Sequence, residues 1–83
     1  MSDVIFDTVA NLNGEALDIN LEYNINSLQG GAGNLVSDFT LTGAYYYDDD
    51  ANLIQLRDND LQQIKAQCDT EDNRIYAYEQ WNR

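Results

Sequence analysis

The segment from residue 17 to residue 25 reads Leu17-Asp18-Ile19-Asn20-Leu21-Glu22-Tyr23-Asn24-Ile25, and its apolar and polar side chains alternate at every position. Successive side chains of a β-strand point to opposite faces, so this period of two places one row against a core and the other toward water. The apolar row is Leu17, Ile19, Leu21, Tyr23 and Ile25, and the polar row is Asp18, Asn20, Glu22 and Asn24. The pattern predicts a half-buried strand of an antiparallel sheet that leaves one face open to solvent.

Strands are predicted on both sides of this segment. Asn13-Gly14 is a favoured two-residue hairpin turn, so residues 3–11 should form a first strand antiparallel to the segment. Residues 36–47 are predicted to form the longest strand, and Gly43 within it indicates a bulge or a close approach by another backbone. Alternation along this strand predicts that one face is shared by Phe39, Leu41 and either Tyr45 or Tyr47.

The hydrophobic period changes from that of a strand to that of a helix after Arg57. Before this point, an acidic turn at residues 48–52 should lead into a short fourth strand at residues 53–56. After it, Asn59 is predicted to cap a helix, with Gln62 as its capping-box partner three residues on. One face of this helix should carry the apolar residues spaced i, i+3 and i+7, which are Leu61, Ile64 and Cys68.

Residues 69–83 fit either a second helix or a strand, and we favour the helix, whose first turn would hold the acids of residues 69–72. The helix would align a stripe of Arg74, Ala77, Tyr78 and Trp81. The strand would instead alternate Ile75, Ala77 and Trp81 with Tyr76 and Tyr78. The order of elements predicts one α+β domain spanning residues 1–83, a small antiparallel β-sheet of about four strands followed by one or two C-terminal helices packed on one face.

Charge is distributed unevenly along the chain. Fifteen acids against four bases give a net charge of −11, and residues 1–56 contain nine of the acids and none of the bases. Like charges at this density repel one another, and their field repels phosphates and anionic membranes as well. We therefore expect no direct binding to nucleic acid and no membrane association, and a basic protein as the partner.

The residue types that most enzymes use near neutral pH are scarce. The chain has no histidine, and its one cysteine, Cys68, lacks a base to activate it and lies in a negative field that should raise its pKa. The glycine-rich stretch at residues 30–34 lacks the Lys-Ser/Thr that follows in a phosphate-binding loop. We expect no enzymatic activity, no cofactor and no intramolecular disulfide. A cytoplasmic location is expected, in the host cytoplasm if the gene is viral, because no signal segment or long apolar run is found.

One acidic turn partly resembles a calcium loop. Asp48, Asp50 and Asn52 match the first three ligand positions of the D-x-D-x-N pattern. The sixth position, which should be glycine, is Leu53, and the twelfth, which should be a bidentate glutamate, is Asn59. A non-standard calcium site is therefore kept as one alternative function, beside a solvated hairpin turn.

The acids of the predicted sheet form the candidate binding surface. Side chains at i and i+2 on one strand face lie about 6.6–6.8 Å apart, which is comparable to the spacing of successive phosphates. A surface of this kind can mimic nucleic acid and inhibit or regulate a basic nucleic-acid-binding protein, as a virus-encoded counter-defence protein would. The residues predicted to bind this partner are Asp18, Asn20, Glu22, Asn24, Asp38, Asp48, Asp49, Asp50 and Tyr46.

Aromatic content suggests a second hypothesis, a structural or assembly module that forms a small homo-oligomer or an accessory subunit. Tyr45, Tyr46 and Tyr47 are consecutive, so at least one of them must point away from the core of a strand. With Tyr76, Tyr78 and Trp81 they could form an exposed patch, and tyrosine and tryptophan are enriched at protein interfaces.

Overall fold

The computed structural model describes residues 4–25 and 39–81 and has an α+β architecture, as predicted. Its strands form one antiparallel sheet in the order β1-β2-β3-β4, and two C-terminal helices pack on the sheet. The elements are β1 (Val4–Leu12), β2 (Glu15–Ile25), β3 (Phe39–Tyr47), β4 (Leu53–Gln55), α1 (Asp58–Cys68) and α2 (Glu71–Trp81). Asp38, the glycine-rich stretch at residues 30–34 and the predicted strand start at residues 36–38 lie outside the described residues.

The hairpin between β1 and β2 forms as the sequence predicts. Asn13 and Gly14 both have positive φ angles, 54° and 85°, which a two-residue type I′ turn requires. The ladder then runs without interruption from Leu12 opposite Glu15 to Val4 opposite Tyr23. Within the described residues β2 has eleven residues and β3 has nine, and the strand expected at residues 36–47 begins outside them.

Gly43 lies at a bulge, as predicted, and the group that approaches it closely is the Glu22 side chain rather than another backbone. Glu22 pairs with Gly43 but Tyr23 pairs with Leu41, so Thr42 is an extra residue in β3. A Cβ atom at Gly43 would lie 2.5 Å from a carboxylate oxygen of Glu22, a separation that real side chains do not show. Glycine therefore leaves room for the Glu22 side chain above β3.

The bulge reverses the faces of the tyrosines that follow it. Because Thr42 adds one residue, Ala44 and Tyr46 share the buried face with Phe39 and Leu41, and Tyr45 and Tyr47 point to the opposite face. The expectation that Tyr45 or Tyr47 would share a face with Phe39 is therefore wrong. The expectation that at least one of the three tyrosines points away from the core is confirmed.

The start of α1 differs from the prediction. Its N-cap is Arg57, with extended backbone (φ −141°, ψ 157°) and no side-chain capping hydrogen bond. Asn59 already lies inside the first turn, because the backbone N–H of Leu56 bonds the carbonyl of Ala44 (2.9 Å) and the chain turns into the helix directly after β4. The predicted cap at Asn59 is therefore wrong by two residues.

Both helices place their predicted apolar faces against the sheet. In α1, Ile64 and Cys68 are buried and Leu61 packs against them, whereas α2 contributes Ala77, Tyr78 and Trp81. The ring of Phe39 lies edge-on to the rings of both Tyr78 and Trp81, with centroid separations of 6.1 and 5.6 Å. Residues 71–81 are thus helical, which settles the choice between helix and strand in favour of the helix.

Tyr23 connects the sheet to the junction between the helices. Its side chain is fully buried, its ring stacks on Phe6 at 5.5 Å, and its hydroxyl donates a short hydrogen bond to the carbonyl of Cys68. The same carbonyl accepts a second bond from the amide of Asn73 (2.8 Å). Burial raises the pKa of Tyr23 to about 12, and the nearby Asp69 carboxylate adds to this effect.

Candidate functional site

The face of the sheet turned away from α1 and α2 is the candidate site, and it is called the open face below. Strand register assigns its members, because residues opposite one another in a ladder share a face. They are Ile5, Asp7, Val9 and Asn11 of β1, Ala16, Asp18, Asn20, Glu22 and Asn24 of β2, Thr40, Gly43, Tyr45 and Tyr47 of β3, and Leu53 and Gln55 of β4. This set includes no lysine and no arginine.

Two carboxyl groups crowd together on β1 and β2 of the open face. Asp7 lies opposite Asn20 and Asp18 lies opposite Val9, so the two aspartates are diagonal neighbours on adjacent strands. A side-chain hydrogen bond with Asp7 raises the pKa of Asp18, and partial desolvation and the negative charge of Asp7 raise it further. Two negative carboxylates this close repel each other, and a cation from outside the chain would relieve that repulsion.

The third carboxylate of the open face is held over β3. Glu22 lies opposite Ile5 on one side and Gly43 on the other, and the space left by the glycine side chain receives its carboxylate. The Gln55 side-chain amide lies on the far side of the same space and donates to the carbonyl of Ala44 (3.1 Å). Glu22 therefore extends across the sheet toward β4, away from the two aspartates.

Large apolar side chains flank these carboxylates. Ile5 and Val9 on β1 are 51% and 71% exposed, and Tyr47 and Leu53 near the opposite edge are 55% and 51% exposed. The rings of Tyr45 and Tyr47 pack edge to face with centroids 5.9 Å apart, which orders an aromatic surface beside β4. Exposed apolar side chains thus lie at both margins of the open face, with Asp18 and Glu22 between the margins and Asp7 on the β1 margin itself.

The acidic turn at residues 48–52 lies at one end of this sheet and has a structural explanation. One carboxylate oxygen of Asp48 accepts the backbone N–H groups of Asp50 (2.9 Å) and Asn52 (2.8 Å), and the other accepts the Asn52 side-chain amide (3.4 Å). These bonds hold the pKa of Asp48 below its usual value. Both oxygens thus stabilise the turn, and no group of three or more acidic, cysteine or histidine side chains within residues 4–25 and 39–81 is placed to hold a metal ion.

The bases lie elsewhere in the fold. Of those that the structure describes, Arg57 follows β4, and Lys65 and Arg74 belong to the helices. Arg74 is partly neutralised by an ion pair with Asp69 at 3.1 Å. The positive charges are therefore placed beyond the sheet, and the acids of the open face are left without a cationic side chain on that face.

The structure brings together some of the predicted site residues and separates others. Asp18, Asn20, Glu22 and Asn24 share the open face, and Asp48, Asp49 and Asp50 form the turn at the end of the same sheet. Tyr46 does not belong with them, because it lies on the buried face and packs against the core. Asp38 lies outside the described residues.

Several residues of the open face were missed by sequence reasoning. Asp7 could have been found, because pairing Leu12 with Glu15 across the Asn13-Gly14 turn places Asp7 opposite Asn20. Tyr45 and Tyr47 could have been assigned by applying the one-residue shift of the predicted bulge. The exposure of Ile5, Val9 and Leu53 had no comparable signal, since apolar residues in short strands are usually buried.

No pocket is found in the part of the chain that the structure describes. Neither α1 nor α2, the two helices among those residues, has the length and apolar character needed to cross a membrane. Comparison of the chain with protein-family models, with curated proteins and with solved structures finds no match in any of the three.

Proposed function

We propose that this chain is a non-catalytic binding protein whose open face docks onto a basic surface of another protein. The observation that carries this proposal is that Asp7, Asp18 and Glu22 share the open face with no lysine or arginine on that face. Charge-assisted hydrogen bonds from partner arginines and lysines would satisfy these carboxylates. The net charge of −11 would also accelerate encounter with a basic partner.

The partner class we propose is a nucleic-acid-binding protein, which this chain would inhibit or regulate by mimicking nucleic acid. Asp18, Asn20 and Glu22 occupy alternate positions on one face of β2, so their Cα atoms recur about every 6.6–6.8 Å, and Glu22 carries its carboxylate from this row toward β4. That spacing is close to the spacing of phosphates, and a groove that binds a phosphate backbone presents cations at a similar interval. The apolar margins would add contact area that a nucleic acid does not offer, which favours the mimic over the natural ligand.

The test is affinity capture at low and at high salt with two charge-matched variants. One variant carries Asp7→Asn and Asp18→Asn on the open face, and the other carries Glu71→Gln and Glu79→Gln on exposed positions of α2. Both remove two negative charges, and circular dichroism checks that both remain folded. We expect a nucleic-acid-binding protein to be captured at low salt by the native chain and by the α2 variant, and to be lost with the open-face variant. Equal capture by all three proteins would contradict the proposal.

A second candidate function is self-assembly, and the exposure of Ile5, Val9, Tyr47 and Leu53 supports it. An oligomer that buried these side chains would hold together by the hydrophobic effect, which salt does not weaken. Light scattering separates the two functions. A stable homo-oligomer in high salt would favour assembly, whereas a monomer with salt-sensitive binding to a partner favours the basic-protein inhibitor.

A further inference from the structure

The free edge of β1 is closed at one end by α1. In a hairpin with a two-residue turn, Leu12 and Glu15 exchange backbone hydrogen bonds, so the outward-facing N–H and C=O groups of β1 belong to Ile5, Asp7, Val9 and Asn11. The side-chain amide of Gln67 takes both groups of Asn11, accepting from its N–H at 2.9 Å and donating to its carbonyl at 2.6 Å. Gln67 therefore makes the two backbone hydrogen bonds at Asn11 that a neighbouring strand would otherwise make.

The rest of the edge has no such cover within the described residues. The outward backbone groups of Ile5, Asp7 and Val9 make no hydrogen bond to residues 4–25 or 39–81. Their side chains lie on the open face, and those of Ile5 and Val9 are more than half exposed. Three successive outward positions are thus available to pair with an added strand.

We propose that the β1 edge from Ile5 to Val9 accepts an extended segment of the partner protein as a fifth strand, and that this segment has a lysine or arginine opposite Asp7 and apolar residues two positions to either side. The pattern apolar-x-basic-x-apolar reads the same in both directions, so it fits parallel and antiparallel addition. This inference rests on the proposed function, because it takes the partner to be basic.

Charge complementarity selects this occupant over a second copy of the chain. Two β1 edges paired about a twofold axis at Asp7 would place the two Asp7 carboxylates opposite each other, next to both copies of Asp18. Like charges directly opposite one another destabilise a strand pair. A cation at that position would instead lie beside two carboxylates, and the exposed Ile5 and Val9 would contact apolar side chains across the new ladder.

The test uses a synthetic peptide, acetyl-Thr-Val-Thr-Lys-Thr-Val-Thr-amide, added at millimolar concentration to the full-length protein. Amide hydrogen exchange of Ile5, Asp7 and Val9 is followed by NMR, with Phe6 and Thr8 as inward-bonded references. At about ten times the dissociation constant, the three outward amides should exchange about tenfold more slowly, because exchange then requires the peptide to dissociate. Unchanged exchange of these amides while the peptide binds elsewhere on the open face would overturn the edge proposal and leave the proposed function intact.

Two variants make the result specific. Val9→Pro removes one outward N–H and no charge, at an edge position where proline is tolerated, and should weaken peptide binding at least about tenfold. Asp7→Lys should reverse the charge preference, so that this variant binds a peptide with glutamate in place of the central lysine and no longer binds the lysine peptide. If Val9→Pro binds the lysine peptide as well as the native chain does, or if Asp7→Lys keeps its preference, strand addition is refuted. Loss of partner capture by the Asp7→Asn and Asp18→Asn variant alone would still support the proposed function.

Discussion

The hydroxyl of Tyr23 gives a prediction in which the stability difference between two proteins shrinks as the pH rises. Tyr23→Phe removes the hydrogen bond to the Cys68 carbonyl but leaves that carbonyl bonded to Asn73. No buried acceptor is orphaned, so near pH 7 the variant should be less stable by only about 0.5–1.5 kcal/mol.

Ionisation of Tyr23 in alkaline solution reduces the stability of the native chain relative to the variant. Its pKa is raised from 10.0 to about 12 in the fold, so its contribution is complete below pH 10 and is lost as the pH rises toward 12. The native chain should lose about 1.4 kcal/mol through this group by pH 11, and about 2.7 kcal/mol once both states are ionised. The Tyr23→Phe variant does not lose this stability, because phenylalanine does not ionise.

Urea unfolding of both proteins between pH 7 and pH 11 measures the difference. The native chain should be the more stable at pH 7, and the two free energies of unfolding should converge near pH 11. Because every other titrating group is shared, the subtraction isolates Tyr23. A difference that stays constant over this range would show that burial does not raise the pKa of the Tyr23 phenol in the fold.

Three further substitutions test individual features by urea unfolding at constant pH. Gly14→Ala should cost about 1–2 kcal/mol, since the φ of 85° at this turn position strains any residue with a Cβ; a cost near zero would mean that the turn relaxes. Asp18→Asn should stabilise the chain at pH 7, because it removes a carboxylate that Asp7 repels, and this gain should disappear in mild acid, where protonation of Asp18 removes the same repulsion. Stabilisation that does not depend on pH would contradict that cause. Gly43→Ala should change stability by less than about 1 kcal/mol, because the Glu22 side chain can turn aside, and should weaken capture of a basic partner, whereas a loss of several kcal/mol would show that Glu22 cannot move.

Local sequence signals predicted the sheet and its helices well. The alternation from Leu17 to Ile25 and the Asn13-Gly14 pair act over neighbouring residues, and together they fix the β1–β2 register. The apolar spacing after Arg57 identified the packed face of α1 in the same way. These features depend on backbone geometry that a short segment determines by itself.

Features that depend on distant contacts were predicted less well. The side on which Tyr46 points follows from a bulge whose single extra residue reverses every later side chain in β3. The start of α1 depends on how Leu56 bonds Ala44, a contact between residues that the helix pattern does not include. The open edge of β1 depends on where α1 places Gln67, and no periodicity in the sequence encodes that position.

Paramagnetic relaxation tests, without a known partner, whether the open face is the surface of this chain that attracts cations. Amide and methyl relaxation is compared in the presence of a cationic and an anionic nitroxide of the same size. We predict that the ratio of cationic to anionic enhancement is highest at Ile5, Val9 and Asp18 and several-fold lower on the outer faces of α1 and α2. An equal ratio over the sheet and the helices would mean that the open face attracts cations no more than the rest of the surface does, and that the proposed docking surface is wrong.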